Sequence, residues 1–278
     1  MDQLEGRSAL ITGASRGLGR AIARALGGEG MELALAARTA GDLEETARLV
    51  AEEGGGRAEV FPVDLTDRDE LARTAAAAVE ELDGVDVLVN NAGVTRISPF
   101  HLREPGAVAT GVGLNLTAPM LLARELLPGM LERGRGHVVN ISSLAGKAGP
   151  PYEAVYGATK AGLIGFTQSL RREYRGTGVS ASAVCPGYVT GAGMYANVVE
   201  ETGTRAPRTA GRATPETVAR AVVRAIREDA PEIFVNSLPV RPLTVLVEAF
   251  PRLGEWITRK LNLFRSYEEA GERLLEGR

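Results

Sequence analysis

A tyrosine and a lysine stand four residues apart in the segment PYEAVYGATKAGLIGFTQSL, whose other residues are mostly small or apolar. Residues four apart lie on one face of an α-helix, so Tyr156 and Lys160 are expected to point into one pocket. An unperturbed phenol titrates at about 10, and a neighbouring ammonium lowers that pKa because it favours the tyrosinate. The pair therefore predicts general acid–base chemistry at Tyr156. Taken alone, the same spacing also describes an ordinary surface pair.

A second candidate site is the glycine-rich stretch LITGASRGLGRA, which lies between an apolar run and a helical pattern. Gly13, Gly17 and Gly19 let the backbone turn sharply, and the following helix offers free N–H groups and its positive dipole end to a phosphate. The spacing is G-x-x-x-G-x-G and differs from the G-x-G-x-x-G dinucleotide fingerprint. The strand–turn–helix setting favours nucleotide binding over a plain turn.

The residues that follow the second apolar run, LALAARTA, indicate which dinucleotide binds. Proteins that choose NAD usually carry an acidic residue there for the ribose 2′-OH, whereas this chain has Ala37 and then Arg38. A guanidinium binds a 2′-phosphate through charge-assisted hydrogen bonds, and Arg16 in the glycine turn adds a second positive charge. The sequence therefore predicts NADP(H). The alternative is that both arginines are ordinary surface residues.

Short apolar runs alternate with helical patterns along most of the chain and must position these groups. The runs are SALIT, MELALAA, AEVFPVD, VDVLVNNAG, GHVVNISS, VSASAVCPG and PEIFVNS, with helical stretches such as GRAIARALGGEG, AGDLEETARLVAEEG and DRDELARTAAAAVEELDG between them. Strands that are apolar on both faces are typical of a parallel sheet covered on both sides. The pattern predicts an α/β fold, a single doubly wound Rossmann-type domain over residues 1–238, plus a helical C-terminal tail over residues 239–278.

Composition excludes several classes of protein. The chain has 278 residues and a net charge of −3, which argues against a nucleic-acid binder. Its single cysteine permits no disulfide within the chain and fits a reducing, cytoplasmic setting. The start, MDQLEGRSALITG, does not have the pattern of a signal peptide. We expect no stretch of about 18 uncharged apolar residues of the kind that a membrane span needs.

Five further motifs occur in a fixed order around the tyrosine and the lysine. They are TGASRGLG, NNAG at 90–93, NLTAP at 115–119, NISS at 140–143 and CPG at 185–187. Their order and spacing resemble the short-chain dehydrogenase/reductase family over roughly residues 5–236. The resemblance implies an oxidoreductase that transfers hydride between NADP(H) and a carbonyl or secondary alcohol substrate.

The resemblance also implies a catalytic set, Asn115, Ser143, Tyr156 and Lys160. Tyr156 would exchange the proton with the substrate oxygen, and Ser143 would hydrogen-bond the same oxygen. Lys160 would hold the nicotinamide ribose and lower the pKa of Tyr156, while Asn115 would anchor a water that relays protons. Ser143 is preferred to Ser142 because the family's serine lies thirteen residues before the tyrosine.

The nucleotide-binding residues implied by the resemblance are more numerous, and no metal is implied. They are Gly13, Ser15, Arg16, Gly17, Leu18, Gly19, Arg38, Asp64, Leu65, Asn91, Ala92, Gly93, Tyr156, Lys160 and Val189. Many relatives place a threonine five residues after the proline of the PG motif, where it meets the cofactor carboxamide. This chain has Gly191 there and its threonine one residue earlier, so a cofactor contact of Thr190 is left open.

Two regions depart from the strand–helix rhythm. Residues 191–213 predict either a substrate loop that covers the site or a surface insertion. The tail combines Trp256 with apolar residues and with basic residues such as Arg252 and Lys260. Packing on its own domain or on a sister subunit is favoured over contact with a membrane surface. The resemblance implies a homodimer or homotetramer.

Several polar residues receive structural interpretations. Asn90 is expected to stitch neighbouring strands, Cys185 to fill a strand end as a small hydrophobe, and His101 and His137 to be structural or exposed. The chain lacks the C-terminal Gly-Gly of ketoacyl reductases, which argues against a ketoacyl thioester substrate. The alternative to an enzyme is a catalytically idle NADP-binding sensor or scaffold. The intact set of four catalytic residues argues against it.

Overall fold

Seven parallel strands form one sheet in the order β3-β2-β1-β4-β5-β6-β7. The structure is a computed structural model and describes residues 3–191, 193–207 and 210–276. The strand order reverses between β1 and β4, the point at which doubly wound sheets bind nucleotides. The strands are β1 (Ser8–Thr12), β2 (Glu32–Ala37), β3 (Ala58–Pro62), β4 (Val87–Asn90), β5 (Gly136–Ile141), β6 (Val179–Pro186) and β7 (Glu232–Val235). The predicted fold class is confirmed, and each strand falls within one of the apolar runs.

Helices cover both faces of this sheet and continue into the C-terminal region. They are α1 (Gly17–Gly28), α2 (Ala40–Glu52), α3 (Arg68–Glu81), α4 (Pro105–Val112), α5 (Ala118–Glu132), α6 (Ala145–Ala148), α7 (Ala154–Glu173), α8 (Met194–Thr202), α9 (Pro215–Arg227), α10 (Arg241–Ala249), α11 (Pro251–Lys260) and α12 (Arg265–Glu276). The C-terminal region is helical, as the sequence predicted.

The two apolar cores follow from the alternation of side chains along each strand. In β1, Ala9 and Ile11 join a fully buried cluster with residues of α1, α2 and α9. Leu10, between them, points to the other face and joins a cluster with residues of α3, α5 and α7. Both faces of the strands are therefore dry, which explains why the strands carry almost continuous apolar sequence.

One helical stretch corrects the expectation about membrane spans. Residues 105–132 form a continuous run of 28 residues that is long and apolar enough to cross a membrane, by length and composition alone. It is the one such run in the described part of the chain. In this fold it is a core helix, because Leu122 and Leu126 pack beneath the sheet. The run is therefore weak evidence for a membrane span.

His137 lies on β5 and is almost completely buried. Its Nε2 atom is 2.8 Å from Ser182 Oγ, and the Ser182 hydroxyl donates to the Ala230 carbonyl, so the imidazole Nε2–H is the donor. Burial lowers the pKa of His137 to about 4. His137 is therefore held neutral inside the fold, as its structural interpretation requires.

We expect this histidine to weaken the protein in acid. In the unfolded chain the imidazole has a pKa of about 6.5. In the folded protein its pKa is about 4, so the ring stays neutral over most of the range between these values. The stability that the neutral ring contributes is complete above pH 6.5 or so and falls by roughly 3 kcal/mol as the pH approaches about 4. Urea unfolding between these pH values should show a smaller loss of stability for His137→Gln than for the wild type.

The matched control is His101→Gln, because His101 is exposed and is the other of the two histidines in the chain. It should keep the full pH dependence of the wild type. A wild type and a His137→Gln variant that lose stability in parallel would contradict the assignment.

Candidate active site

A cavity of about 1020 Å³ opens at the carboxyl ends of the parallel strands. All of the predicted site residues line it except Asn115. These lining residues are Gly13, Ser15, Arg16, Gly17, Leu18, Gly19, Arg38, Asp64, Leu65, Asn91, Ala92, Gly93, Ser143, Tyr156, Lys160 and Val189. The fold therefore brings the glycine turn and the tyrosine–lysine pair into one space, although they lie far apart in sequence.

The glycine turn is compact enough that side chains cannot replace its glycines. Gly13 and Gly17 have φ values of 66° and 56°, the left-handed region that favours glycine. A Cβ atom on Gly19 would lie 2.0 Å from the Gly13 carbonyl oxygen. Helix α1 begins at Gly17, and the side chain of its N-cap residue, Arg16, makes no capping hydrogen bond. Its first N–H groups therefore face a cradle suited to a phosphate.

Thr12 holds this turn against the end of β4, and sequence reasoning missed it. Its hydroxyl oxygen accepts hydrogen bonds from the backbone N–H groups of Asn91 and Ala92, at 3.0 and 3.1 Å. The Asn91 side-chain amide donates to the carbonyl oxygens of Thr12 and Gly13, at 2.9 and 3.2 Å. Asn91 thus supports the turn while it lines the cavity. The signal available in the sequence was a threonine directly after the apolar residues of the first strand.

Two arginines line the cavity beside the second strand. Arg16 and Arg38 are both exposed and line the cavity. Among the described residues, neither forms an ion pair with a carboxylate. Asp64 lies nearby, and its carboxylate accepts hydrogen bonds from the Thr66 N–H and hydroxyl at 2.9 and 2.8 Å. These bonds, helped by the charge of Arg38, lower the pKa of Asp64.

Helix α7 carries the candidate chemical groups. The Lys160 ammonium lies 5.6 Å from the centre of the Tyr156 ring and donates to the Ile141 carbonyl at 2.8 Å. The Ser143 hydroxyl lines the cavity and makes a long hydrogen bond of 3.4 Å to the Pro186 carbonyl. The neighbouring Ser142 hydroxyl is buried and donates to the Lys160 carbonyl at 2.8 Å. The backbone therefore holds the Ser142 hydroxyl more closely than that of Ser143.

The pKa of Tyr156 shifts in the direction opposite to the one expected. Burial raises the pKa of Tyr156 above its ordinary value, the Glu153 carboxylate adds to the rise, and the Ser143 hydroxyl opposes it. Burial also lowers the pKa of Lys160 to about 8. For both groups, desolvation of the charged form is the largest cause of the shift. Tyr156 is therefore a fully protonated phenol at neutral pH.

Asn115 does not line the cavity, and its role as the anchor of a proton-relaying water stays a prediction. It sits in a π-helical turn, Gly113–Thr117, between α4 and α5 and is almost completely buried. Its side-chain amide exchanges two hydrogen bonds of 2.8 Å with the backbone of Val94 and also donates to Thr159 Oγ1 at 3.3 Å. Asn115 thus fixes the chain that follows the NNAG motif.

The structural interpretations of two polar residues are confirmed. The Asn90 side chain donates to Asn140 Oδ1 at 2.9 Å, which joins the neighbouring strands β4 and β5. Cys185 is fully buried beside Ile164 and Ala183, and burial raises the pKa of its thiol to about 12.

Thr190 is bonded to the neighbouring backbone. Its hydroxyl donates to the Ala213 carbonyl at 3.3 Å, and Thr190 does not line the cavity. Within residues 3–191, 193–207 and 210–276, no three His, Cys, Asp or Glu side chains are grouped as metal ligands.

The far end of the cavity is built from α8 and the tail. Residues 191–213 include α8, whose Met194 and Tyr195 line the cavity, so this segment is a wall of the site and not a surface insertion. Tyr188 packs against Tyr195 and against Tyr267 of α12, with ring centres 5.0 and 5.8 Å apart. Tail residues of α10 and α12 therefore complete an aromatic and apolar end of the cavity.

Glu153 is a further ionisable group in the cavity that sequence reasoning missed. Its side chain is only 4% exposed, and its Oε1 accepts a hydrogen bond of 2.6 Å from the Thr95 hydroxyl. Burial raises the pKa of Glu153. The signal in the sequence was its spacing, because positions 153, 156 and 160 share one helix face.

Comparisons with known proteins agree with this architecture. The short chain dehydrogenase family model matches residues 7–203 of the sequence. The chain therefore belongs to the short-chain dehydrogenase family, a family of oxidoreductases.

Individual relatives cover most of the chain. It is 42% identical over 255 residues to the ketoacyl reductase HetN of a Nostoc species. The matched region covers 91% of this chain and 87% of that protein. It is 34% identical over 239 residues to the 3-oxoacyl-(acyl-carrier-protein) reductase FabG of Vibrio cholerae, with 85% and 96% covered. The crystal structure of a metagenomic short-chain oxidoreductase in complex with NADP superimposes with a TM-score of 0.72 at 35% identity, covering 85% of this chain and 99% of that one.

Proposed function

We propose that this protein reduces a carbonyl group with NADPH, or oxidises the corresponding alcohol with NADP⁺. The observation that carries the proposal is that Ser143, Tyr156 and Lys160 line the same cavity as the glycine turn, with the Lys160 ammonium 5.6 Å from the centre of the Tyr156 ring. Two hydroxyls on the wall of one cavity can both hydrogen-bond a single substrate oxygen.

The residues of the cavity fit NADP(H). The uncapped start of α1 and the compact glycine turn suit a pyrophosphate, and Arg16 and Arg38 suit a 2′-phosphate. The solved NADP complex of a 35% identical relative supports this assignment. When bound, NADP(H) supplies or accepts the hydride, and the protein handles the proton and the electrostatics.

In the reductive direction, Tyr156 supplies the proton. Because burial raises the pKa of Tyr156, the phenol carries its proton at neutral pH and donates it to the oxygen of a carbonyl as hydride arrives. Ser143 donates a hydrogen bond to the same oxygen as charge develops on it. The Lys160 ammonium, 5.6 Å from the phenol ring, then steadies the tyrosinate that is left behind.

The substrate class follows from the far end of the cavity. Tyr188, Tyr195 and Tyr267 form an aromatic wall there, joined by Leu243 and Val247 of α10. We infer a carbonyl compound with an apolar chain. The names of the two curated relatives support 3-ketoacyl thioesters as the first candidates, although the C-terminal sequence had argued against them.

The experiment is a turnover assay in which NADPH oxidation is followed with a panel of 3-ketoacyl thioesters, simple ketones and aldehydes. We expect turnover with NADPH, with an efficiency that rises with the length of the apolar chain. Tight NADPH binding without turnover on any carbonyl or alcohol would instead identify a catalytically idle NADP-binding sensor or scaffold.

Three further predictions, which concern domain division, oligomeric state and cellular location, are also proposals. They are a division of the chain into a Rossmann-type domain over 1–238 and a tail over 239–278, a homodimer or homotetramer, and a cytoplasmic location. Size-exclusion chromatography with light scattering tests the second of them.

A further inference from the structure

Large apolar side chains are concentrated on the outer side of α10 and α11. Val245, Phe250, Leu253, Trp256 and Leu261 are each between 42% and 59% exposed. We call these residues, together with Arg252, Arg259 and Lys260, the α10–α11 surface. Exposed apolar groups gathered in one region mark an interaction site more often than scattered ones do.

The opposite side of these two helices is already occupied. Leu243 and Val247 of α10 line the cavity. Gly254 of α11 packs so closely on Val247 that a Cβ atom there would lie 2.9 Å from Val247 Cγ1. Lys147, four residues after Ser143, forms an ion pair of 3.6 Å with Glu248 and ties α10 to the domain. The helices are thus anchored by their inner side, which leaves the α10–α11 surface facing outward.

The charge of this region is opposite to that of the whole protein. Residues 241–265 contain five basic and two acidic residues, a net charge of +3, whereas the chain carries −3. Of these charged residues, Glu248 is paired with Lys147 and Arg265 with Glu269. Arg252, Arg259 and Lys260 form no ion pair with the described carboxylates.

The cations and the apolar groups share one face of α11. Arg252, Trp256 and Lys260 follow at intervals of four residues, which places them in one row on the helix. The Lys260 ammonium lies 4.7 Å from the centre of the Trp256 ring. Exposed apolar groups with cations beside them combine the two contributions that bind a helix to an anionic bilayer, burial of apolar area and attraction to the lipid headgroups.

We propose that the α10–α11 surface docks on an anionic phospholipid bilayer. Trp256, Leu253 and Phe250 enter the boundary between headgroups and acyl chains, and the three cations contact lipid phosphates. An isologous contact between two copies through this surface is disfavoured, because it would bring two regions of net charge +3 together. Docking would place the tail wall of the cavity at the membrane surface.

Trp256 is itself the probe, because it is the single tryptophan of the chain. We expect its emission to shift to the blue, and to be quenched by brominated acyl chains, when phosphatidylglycerol-containing vesicles are added to the full-length protein. Pure phosphatidylcholine vesicles should have little effect, and high salt should reverse the change. This readout needs no enzyme activity, so the proposal stands or falls apart from the proposed function.

Charge variants sharpen the experiment. Combined Arg252→Gln, Arg259→Gln and Lys260→Gln should weaken binding to anionic vesicles by about 100-fold, since each cation near such a surface contributes on the order of 1 kcal/mol. The matched control is Arg73→Gln, Arg172→Gln and Arg175→Gln, which removes three exposed cations elsewhere. It should bind as the wild type does. Phe250→Ser with Leu253→Ser should also reduce co-sedimentation with the vesicles.

Two outcomes would overturn the proposal. Blue emission without vesicles that reddens on dilution would show that a second copy covers the surface. Red emission that no vesicle changes would show that the surface stays in water.

Discussion

Tyr156→Phe is expected to lower kcat for NADPH-dependent carbonyl reduction by about 10³-fold, within the range that a positioned general acid contributes. Phenylalanine keeps the ring beside Lys160 but removes the phenol hydroxyl. The proton donor is lost, while the fold and the glycine turn remain. Steady-state kinetics with the best carbonyl substrate, together with NADPH titration, should show a loss of turnover at a nearly unchanged Kd for NADPH.

Tyr174→Phe is the control for this variant. Tyr174 follows the last residue of the same helix and does not line the cavity. Its replacement should leave turnover as it was. A Tyr156→Phe variant that keeps a tenth or more of the wild-type kcat would contradict the assigned role.

Arg38→Asp should have the second-largest effect, on the choice of cofactor. An exposed guanidinium that lines the cavity without an ion pair is available to a 2′-phosphate. The substitution removes a charge-assisted hydrogen bond and adds repulsion between two negative groups. We expect KM for NADPH to rise about 100-fold, which corresponds to roughly 3 kcal/mol. KM for NADH, which has a 2′-hydroxyl there, should change little.

Arg73→Asp is the control for a general effect of charge, because it makes the same change at an exposed position of α3. It should alter neither KM. An Arg38→Asp variant that loses NADPH and NADH equally would refute the use of Arg38 as the residue that selects NADP.

The sheet was predictable because its physical cause is local. A strand buried on both faces must be apolar at successive positions, and Ala9, Leu10 and Ile11 of β1 show this directly. The glycine turn was equally accessible, since Gly13 adopts a positive φ that few other residues tolerate. In both cases a few neighbouring residues contain the whole constraint.

The tail was not predictable in the same way, because its contacts join residues that are distant in sequence. Nothing near Gly271 indicates that a Cβ there would lie 2.6 Å from the ring of Tyr152, just before α7. The ring contact between Tyr188 and Tyr267 is likewise set by the path of the tail around the cavity. The sequence therefore predicted helices in the tail but not the particular contacts that they make.

The direction of the pKa shift of Tyr156 was also not predictable from the sequence. Helical spacing correctly placed Lys160 beside the ring, yet the direction of the pKa shift depends on burial and on Glu153. Burial is a property of the whole fold, and a local spacing rule does not contain it.

A crystal structure of the protein with NADP⁺ and an unreactive carbonyl analogue of the best substrate tests the central claim most directly. The account predicts that the analogue oxygen lies about 2.6–3.2 Å from both Tyr156 Oη and Ser143 Oγ, with the dinucleotide pyrophosphate at the start of α1. A Tyr156 hydroxyl turned away from that oxygen, or a dinucleotide bound outside the cavity, would contradict it.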